Sequence, residues 1–322
     1  MSKKKKKQQS RIAIYIVLAI VVLFGCFQAR AMYIKSKEAR AAEKQQEKLK
    51  EEAARVKKNE WVKKDGKSYY YGEDGKVMTG RFVLKDEKKI CYADDNGVVT
   101  RVVDGTKPMV AVTYDDGPSQ FTGDFVDLFQ SNNSAATFFE VGNRIKEFEE
   151  SEKKIAESYC ELANHTYSHQ NVTKVSISAM KKQIGDCDEK LREMGETTDK
   201  ILFRAPEGAL NESVKKNLDR AVILWSVDTM DWHSRNADSV YKIATTNIKD
   251  GDIILMHSLY ESTLNASKRI VPELLDEGFQ LVTVSDLAEF RGGLKNGEKY
   301  FSIDPISDSE TDSSTAQTTE GK

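Results

Sequence analysis

Short apolar segments alternate with amphipathic segments through the middle of the chain. Seven apolar segments are typical of strands, and the helical spacing of apolar positions in residues 176–196 and 211–219 predicts helices between them. Strands that alternate with helices indicate parallel strands joined by crossover helices. We therefore predict an α/β domain over residues 107–293, an incomplete (β/α) barrel of about seven parallel strands, with an open sheet as the alternative. The predicted strands are 109–114, 136–141, 161–164, 201–204, 221–226, 252–256 and 280–284.

The N-terminal pattern is different, because a basic tail (residues 1–11) precedes an apolar run (residues 12–29). A membrane span needs about 17–20 apolar residues, and basic residues before it predict a cytoplasmic N-terminus with the remainder exported. An uncleaved signal-anchor is favoured because the run is longer than a usual signal-peptide core. A cleaved signal peptide ending at Ala29-Arg30-Ala31 and a lipoprotein signal ending at Cys26 are the alternatives. All three place the rest of the chain outside the cytoplasm.

Three further segments flank the predicted α/β domain. Residues 30–60 are rich in strong helix formers and predict a solvated helical spacer, with a coiled-coil dimer as the weaker alternative because the a and d positions are nearly empty of apolar residues. Residues 303–322 are acidic and rich in Ser and Thr, which predicts a disordered tail. Residues 61–102 contain two related segments offset by 21 residues, with Asp-Gly and Asn-Gly turn signals that predict β-hairpins.

The first of these two segments, WVKKDGKSYYYGEDGK, resembles the aromatic cell-wall-binding repeats of Gram-positive surface proteins. That resemblance implies an aromatic cage for wall choline or glucan, formed between neighbouring repeats. The second copy has Glu87 and Cys91 where the first has Gly66 and Tyr70. The erosion favours a hairpin spacer without a ligand.

Composition adds modest constraints. The chain has 322 residues and a formal net charge of −2, which gives no reason to expect nucleic acid as a partner. Outside the apolar run it has Cys91, Cys160 and Cys187, too few for a disulfide framework. We predict free thiols, with a Cys160–Cys187 bridge as the alternative. No feature indicates an oligomeric state.

Polar clusters follow the carboxyl ends of the predicted strands. In (β/α) barrels the loops at that end build the active site, so clusters on five strands should converge on one pocket. Scattered surface charges would not follow strand ends. The residues are Asp115 and Asp116 after the first strand, His165 and His169 after the third, Arg204 at the fourth, Asp228 and Asp231 after the fifth, and His257 at the sixth.

Two histidines and one carboxylate form a candidate metal site. The chain has only four histidines, and His165 and His169 are spaced to share one face of a helical turn. Adding Asp116 gives three ligands with open positions, the pattern of catalytic zinc. One divalent ion, zinc with cobalt or nickel as alternatives, is therefore predicted. His233 follows no strand end and is interpreted as a rim or surface residue.

The remaining clusters suit hydrolysis. Asp115 is free to accept a proton from water, and Arg204 would keep it ionised. A leaving amine needs a proton, which suits His257 supported by Asp231.

Hydrolysis also needs hydrogen-bond donors for the developing oxyanion. Backbone N–H groups near Tyr114 or Glu207 are candidates for that role. Together these residues predict metal-assisted hydrolysis of an amide or an ester.

Five motifs carry a family resemblance. They are TYDDGP at 113–118, HTYSH at 165–169, RAPEG at 204–208, DTMDW at 228–232 and LMH at 255–257. In this order they resemble the signature of the polysaccharide deacetylases of carbohydrate esterase family four, the NodB-homology domain. The resemblance implies the same roles for the residues above, with Arg204 positioning the base and with Trp232 and Leu255 lining the acetyl pocket.

The third motif departs from the family, because Ala205 and Glu207 stand where a proline and an aromatic residue are usual. A backbone donor survives any side chain, so activity is expected, with a narrower choice of substrate. The repeats and the anchor make N-acetylglucosamine of peptidoglycan the predicted substrate. An O-acetyl xylan esterase, a chitooligosaccharide deacetylase and an inactive wall-binding tether are the alternatives.

Overall fold

A computed structural model describes residues 28, 30, 32–47 and 57–306. The predicted membrane segment, apart from residue 28, and most of the predicted C-terminal tail lie outside these residues. Among the helices that the structure describes, none is long and apolar enough to cross a membrane.

The chain divides into two compact units. The first comprises Met1–Val62 with Tyr70–Val77, and the second Lys63–Tyr69 with Met78–Lys322. Residues 32–47 are helical. The second unit thus includes the second repeat, upstream of residue 107.

The described strands and helices follow the alternation in the sequence. The strands are β1 Glu60–Lys64, β2 Lys67–Tyr71, β3 Gly80–Leu84, β4 Lys89–Ala93, β5 Val99–Asp104, β6 Met109–Gly117, β7 Thr137–Glu140, β8 Glu161–Asn164, β9 Val222–Ile223, β10 Val227–Asp228, β11 Ile253–His257, β12 Gln280–Val282 and β13 Lys299–Tyr300. The helices, numbered here from the parallel domain onward, are α1 Thr122–Ser131, α2 Glu149–Ala156, α3 Ile177–Glu193, α4 Glu212–Asn217, α5 Asp231–Ser234, α6 Ala237–Ala244, α7 Glu261–Asp276 and α8 Val284–Glu289.

A six-stranded parallel sheet is the centre of the second unit. Its order is β10-β11-β6-β7-β8, and β12 pairs with the first residues of β6. Beyond β8 the sheet continues through single parallel bridges at Phe203 to β9, which pairs with β13. The predicted parallel α/β fold is confirmed. Closure into an incomplete barrel stays a prediction.

Strand β6 is buried on both faces, as a central parallel strand should be. Val110, Val112 and Tyr114 pack in one buried cluster with the helices. Met109 and Ala111, which alternate with them, pack in a second cluster. Period-two alternation thus sends β6 side chains into two separate cores.

Helix α3 shows why the covering helices form where they do. The Ser176 hydroxyl accepts a hydrogen bond from the Ala179 N–H and caps its first turn. Its buried residues recur at helical spacing, so that one face packs inward. They are Met180, Ile184, Cys187 and Leu191.

The predicted strand at residues 201–204 is wrong, since only Phe203 bridges to its neighbours. The predicted strand at 221–226 is reduced to Val222–Ile223. The buried Arg204 side chain donates to the carbonyl oxygens of Ile223 (3.0 Å) and Leu224 (3.0 Å). The Arg204 side chain therefore occupies carbonyl oxygens that would pair with a neighbouring strand if β9 were longer.

Cys91, Cys160 and Cys187 are free thiols, so the prediction of free thiols is confirmed. Burial raises the pKa of Cys160 and of Cys187. Protonated, buried thiols are poor nucleophiles and act as small apolar groups.

The first repeat forms a two-stranded sheet of β1 and β2. The rings of Trp61 and Tyr70 meet edge to face with centroids 5.3 Å apart. The Lys57 ammonium lies 5.5 Å from the centroid of the Tyr71 ring.

The second repeat forms a three-stranded antiparallel sheet, β3-β4-β5, which is packed on the parallel domain. Its residues Ile90 and Val103 are buried in the same cluster as Met109 and Val284. The sheet therefore covers the end of the domain where β6 begins.

Asp286, at the start of α8, ties this sheet to the domain. It is fully buried and accepts hydrogen bonds from Tyr92 (2.5 Å) and Arg81 (2.9 Å). The Arg101 guanidinium lies 3.5 Å from the same carboxylate and 5.0 Å from the Tyr92 ring centroid. The aromatic face of Tyr92 is thus occupied by the chain's own arginine, as in a cation–π contact.

We expect Asp286→Asn to lower the free energy of unfolding by about 3 kcal/mol, because it leaves the buried Arg101 charge without its partner. Denaturant unfolding of the full chain in detergent measures this. Glu289→Gln is the matched control, since Glu289 pairs with Arg81 at a partly exposed position and should change stability by less than about 0.5 kcal/mol. Equal stability of the two variants would contradict the docking role of Asp286.

Candidate active site

The polar clusters meet at the carboxyl ends of the parallel strands. At the end of β6 the register with β7 shifts between Asp115 and Gly117, and Asp116 adopts a φ of 67°. Adjacent residues of a regular strand point to opposite faces. At this irregularity they do not, and both carboxylates lie near His165 Nε2, at 3.7 Å from Asp115 and 3.3 Å from Asp116.

Asp116, His165 and His169 bring one ligand atom each into a single cluster. The three atoms lie within 4.8 Å of one another. The Asp116 Oδ1 atom lies 3.0 Å from His169 Nε2 and 3.3 Å from His165 Nε2. These are the three residues that the sequence predicted as metal ligands.

The hydrogen bonds around this cluster fit a bound divalent ion. His165 Nδ1 lies 2.8 Å from the carbonyl oxygen of Arg204. A carbonyl oxygen only accepts, so Nδ1 is the donor and Nε2 is the ring nitrogen that faces the cluster; a backbone contact of this kind orients a histidine that binds a metal. Asp116 Oδ1 is buried and accepts no hydrogen bond. Two imidazoles and a carboxylate that converge in this way match a three-ligand zinc site.

The predicted helical turn at the two histidines is wrong. Residues 165–170 form no helix, and Thr166 and His169 have φ values of 67° and 55°. The His165 and His169 ring centroids are 5.1 Å apart. Left-handed backbone at two non-glycine residues, rather than helical periodicity, brings the rings together; such strain concentrates at functional sites.

Asp115 is held by Arg204. Arg204 Nη1 donates to Asp115 Oδ1 at 2.6 Å and to the Thr113 hydroxyl at 2.9 Å. The Arg204 side chain is fully buried, and burial lowers its pKa against the opposing effect of Asp115. One Asp115 oxygen is thus used by the arginine, and the other, Oδ2, faces the ligand cluster.

His257 is held on the other side of the cluster by Asp231. The Asp231 carboxylate accepts from His257 Nδ1 (2.8 Å), the His257 backbone N–H (2.8 Å) and the Thr263 hydroxyl (2.7 Å). The remaining ring nitrogen, His257 Nε2, lies 3.9 Å from Asp116 Oδ2. It therefore faces the same space as Asp115 Oδ2.

Electrostatics set the charge states of these groups. Burial would raise the pKa of Asp116, but the imidazoles of His165 and His169 outweigh it and hold that pKa well below its usual range. Burial would lower the pKa of His257, but the Asp231 carboxylate outweighs it and raises that pKa. The site thus combines an ionised ligand carboxylate with an imidazole that binds its proton more tightly than usual.

The residues predicted to contact substrate do not all lie at the surface. Tyr114 is fully buried, its hydroxyl lies 2.8 Å from Ser267 Oγ, and its ring stacks on Phe138, with centroids 5.2 Å apart. The Tyr114 side chain is therefore a core group, and the predicted oxyanion donor near it, a backbone N–H, stays a prediction. Leu255 is 3% exposed and shares a strand face with His257, two residues on.

The other predicted residues lie on the rim. Trp232 is 45% exposed, and its backbone N–H donates to Asp231. His233 is exposed, and its ring lies 5.7 Å from that of Trp232. Glu207 is exposed, and its carboxylate accepts a hydrogen bond from Asn171 at 2.7 Å.

Three supporting residues were not predicted from sequence. Thr113 contacts Arg204, Thr263 contacts Asp231, and Asn171 contacts Glu207. Thr263 lies on α7, 32 residues from Asp231. Thr113 belongs to the first motif, but no local pattern pairs it with Arg204, Thr263 with Asp231 or Asn171 with Glu207, so only the fold reveals these contacts.

Comparisons with known proteins agree with this geometry. The sequence pattern of the family "Polysaccharide deacetylase" matches residues 103–223. Peptidoglycan-N-acetylmuramic acid deacetylase PdaC of Bacillus subtilis is 32% identical over 190 residues, 59% of this chain but only 40% of that protein. A peptidoglycan-N-acetylglucosamine deacetylase of Bacillus cereus is 31% identical over 204 residues, which cover 61% of this chain and 95% of that protein.

This chain belongs to the polysaccharide deacetylase family. A solved family 4 acetyl xylan esterase of Clostridium thermocellum, in complex with cobalt, has a TM-score of 0.57 and 27% identity, covering 61% of this chain and 98% of the other. The protein is therefore a polysaccharide deacetylase, a hydrolase of acetylated glycans. The family pattern ends at residue 223, before Asp231 and His257. In this polysaccharide deacetylase the roles of those two residues rest on their geometry.

Proposed function

We propose that this deacetylase removes N-acetyl groups from N-acetylglucosamine in peptidoglycan, outside the cytoplasm, with one bound divalent ion. The observation that carries the proposal is the cluster of Asp116, His165 and His169, flanked by Asp115 on one side and His257 on the other. Zinc is the proposed metal, and cobalt and nickel are the alternatives. When bound, the ion would polarise the acetyl carbonyl and acidify water.

Asp115 is placed to act as the base. Arg204 holds its Oδ1, so Oδ2 is the oxygen that remains to accept a proton from the attacking water. Arg204 itself is fixed by the Ile223 and Leu224 carbonyl oxygens, so the base has a defined position.

His257 is placed to act as the acid. Its Nδ1–H donates a hydrogen bond to Asp231. Nε2 is therefore the ring nitrogen that can protonate the departing amine nitrogen. Asp231 orients the ring and stabilises its charged form, as a buried carboxylate does in other acid–base catalysts. Cleavage of the amide C–N bond would then release acetate and leave a free amine on the sugar.

The choice of substrate is supported by the relatives and by the sequence. The named relatives from Bacillus are deacetylases of peptidoglycan, one of N-acetylmuramic acid and one of N-acetylglucosamine. The basic N-terminus and the apolar run at residues 12–29 support a single-pass membrane anchor with the catalytic domain outside. The wall-binding-like first repeat also favours the cell wall.

Acetate release by the full chain in detergent tests the proposal. The substrates are N-acetylglucosamine oligomers, purified peptidoglycan and acetylated xylan, each with added zinc and with a chelator. Zinc-dependent release from peptidoglycan and from the oligomers is expected. Release from xylan alone would move the enzyme to the esterases, and release unaffected by the chelator would contradict metal dependence.

The pH profile tests the role of His257. A general acid must be protonated, and Asp231 raises the pKa of His257, so activity should extend to higher pH than a free imidazole with pKa about 6.5 would allow. In Asp231→Asn the alkaline limb of kcat/KM should move to lower pH, because the stabilising carboxylate is gone. Asp228→Asn, at the end of β10 and three residues before Asp231, is the control and should leave the limb in place. An unmoved limb in Asp231→Asn would exclude His257 as the acid.

A further inference from the structure

Glu207 carries a fixed carboxylate at the rim of the active site. It is the third residue after Arg204, in the short 3-10 helix Pro206–Gly208, and its backbone is left-handed with φ 61°. The next residue, Gly208, packs so closely on Trp225 that an added Cβ would lie 3.0 Å from the ring. The loop therefore has little freedom to carry Glu207 elsewhere.

Asn171 fixes the carboxylate itself. Asn171 is 8% exposed, and its Oδ1 accepts from the Thr173 N–H (3.1 Å) and the Thr173 hydroxyl (2.7 Å). This leaves the Asn171 amide to donate to Glu207 Oε2 at 2.7 Å. Asn171 lies two residues after the ligand His169, so the contact joins the metal-site loop to the loop that follows Arg204.

The charge of Glu207 is not neutralised by a neighbour. Across residues 57–306, no lysine, arginine or histidine forms an ion pair with it. The Asn171 contact uses Oε2, and the exposed side chain is near enough to the ligand His169 to contribute, after Asp116, to the raised pKa of that imidazole. A carboxylate in that place attracts cations, accepts hydrogen bonds from sugar hydroxyls and repels other carboxylates.

Building on the proposed function, we propose that Glu207 makes the enzyme sort glycans by the charge next to the acetamido group under attack. A neighbouring sugar with a free ammonium is preferred, a neutral sugar is accepted, and a sugar bearing a carboxylate is disfavoured. Peptidoglycan offers all three, since muramic acid carries a lactyl carboxylate or a peptide and each deacetylation creates an amine. Acetyl groups on glucosamine beside earlier products would then be removed fastest.

Glu207→Gln tests the charge with little change of shape, because the glutamine oxygen can still accept from Asn171. Glu277→Gln is the matched control, as Glu277 is exposed at the carboxyl end of α7, away from the strand ends that carry the site. The zinc-loaded full chain is assayed on tetramers of equal length that are neutral, amine-bearing or muramic-acid-bearing. Values of kcat/KM are measured at low and high salt, and oligomer affinity is measured by calorimetry.

We expect Glu207→Gln to reduce the preference for the amine-bearing over the carboxylate-bearing tetramer by about three- to tenfold, the size typical of one charge at a wet surface. High salt should reduce the preference of the wild type and leave that of the variant nearly unchanged. Glu277→Gln should match the wild type.

Two results would overturn the inference and leave the deacetylase function intact. One is an unchanged preference in Glu207→Gln with acetate release from every tetramer. The other is an equal loss on all three tetramers, which would assign Glu207 to loop structure. If the wild type released no acetate, the proposed function would fail, while the order of affinities would still decide the role of Glu207.

Discussion

Asp115→Asn is expected to lower acetate release about a thousandfold while zinc remains bound. Asparagine keeps the size of the side chain and can still accept from Arg204, but it cannot take a proton from water. General-base catalysis contributes about 10²- to 10⁴-fold. The three ligand residues, Asp116, His165 and His169, are untouched by this change, so metal content should stay near the wild-type value.

Controls separate loss of the base from loss of the fold. Asp127→Asn makes the same chemical change at an exposed ion pair with Lys154 and should keep full activity. Thermal unfolding of Asp115→Asn shows whether the buried Arg204 tolerates a neutral partner. An active Asp115→Asn variant would contradict the role of Asp115 as the base. If the variant had lost both its zinc and its fold, the role of Asp115 would be tested instead by the pH dependence of kcat/KM in the wild type.

Removal of His169 should have the second large effect. His169→Ala takes away one of three ligands and is expected to weaken zinc binding more than about 100-fold, beyond the loss typical of a supporting group. Acetate release should disappear at stoichiometric zinc. The His169 side chain is 39% exposed, whereas that of His165 is 2% exposed. Replacing His169 therefore removes one ligand and disturbs the packed interior less than replacing His165 would.

His233→Ala is the matched control, because His233 is also exposed on the rim but lies outside the ligand cluster. Zinc affinity is measured by competition with a chelator of known affinity, and acetate release is followed in the same samples. His233→Ala should keep both properties. Wild-type zinc affinity in His169→Ala would refute the three-residue site, whereas partial recovery of activity with excess zinc would support it.

The parallel sheet and the position of the site could be read from the sequence. Apolar segments alternate with helical spacing, and this order dictates parallel strands with a common carboxyl edge. Asp115, His165, Arg204 and His257 follow the first, third, fourth and sixth of these segments, so they were expected to meet at that edge. These conclusions need only local periodicity and the rule that parallel strands end on one side.

Other features depended on contacts that no local pattern records. Arg81 donates a hydrogen bond to Asp286 across 205 residues, and this contact makes the β3-β4-β5 sheet of the second repeat a docked part of the domain. The Tyr114 ring points into the core because it lies on the helix-facing side of β6. Its place beside Asp115 in the motif gives no hint of that direction.

The sequence by itself determined the strand order along the chain, the family and the set of reactive residues, because periodicity and residue type are written locally. Only the tertiary structure decided how those residues are held: left-handed backbone at Asp116 and His169, Thr263 against Asp231, and Asn171 against Glu207. The physical reason is that hydrogen-bond partners and backbone strain are fixed by packing between distant segments. A local pattern brings a side chain to the site, and its neighbours in space set its charge and direction.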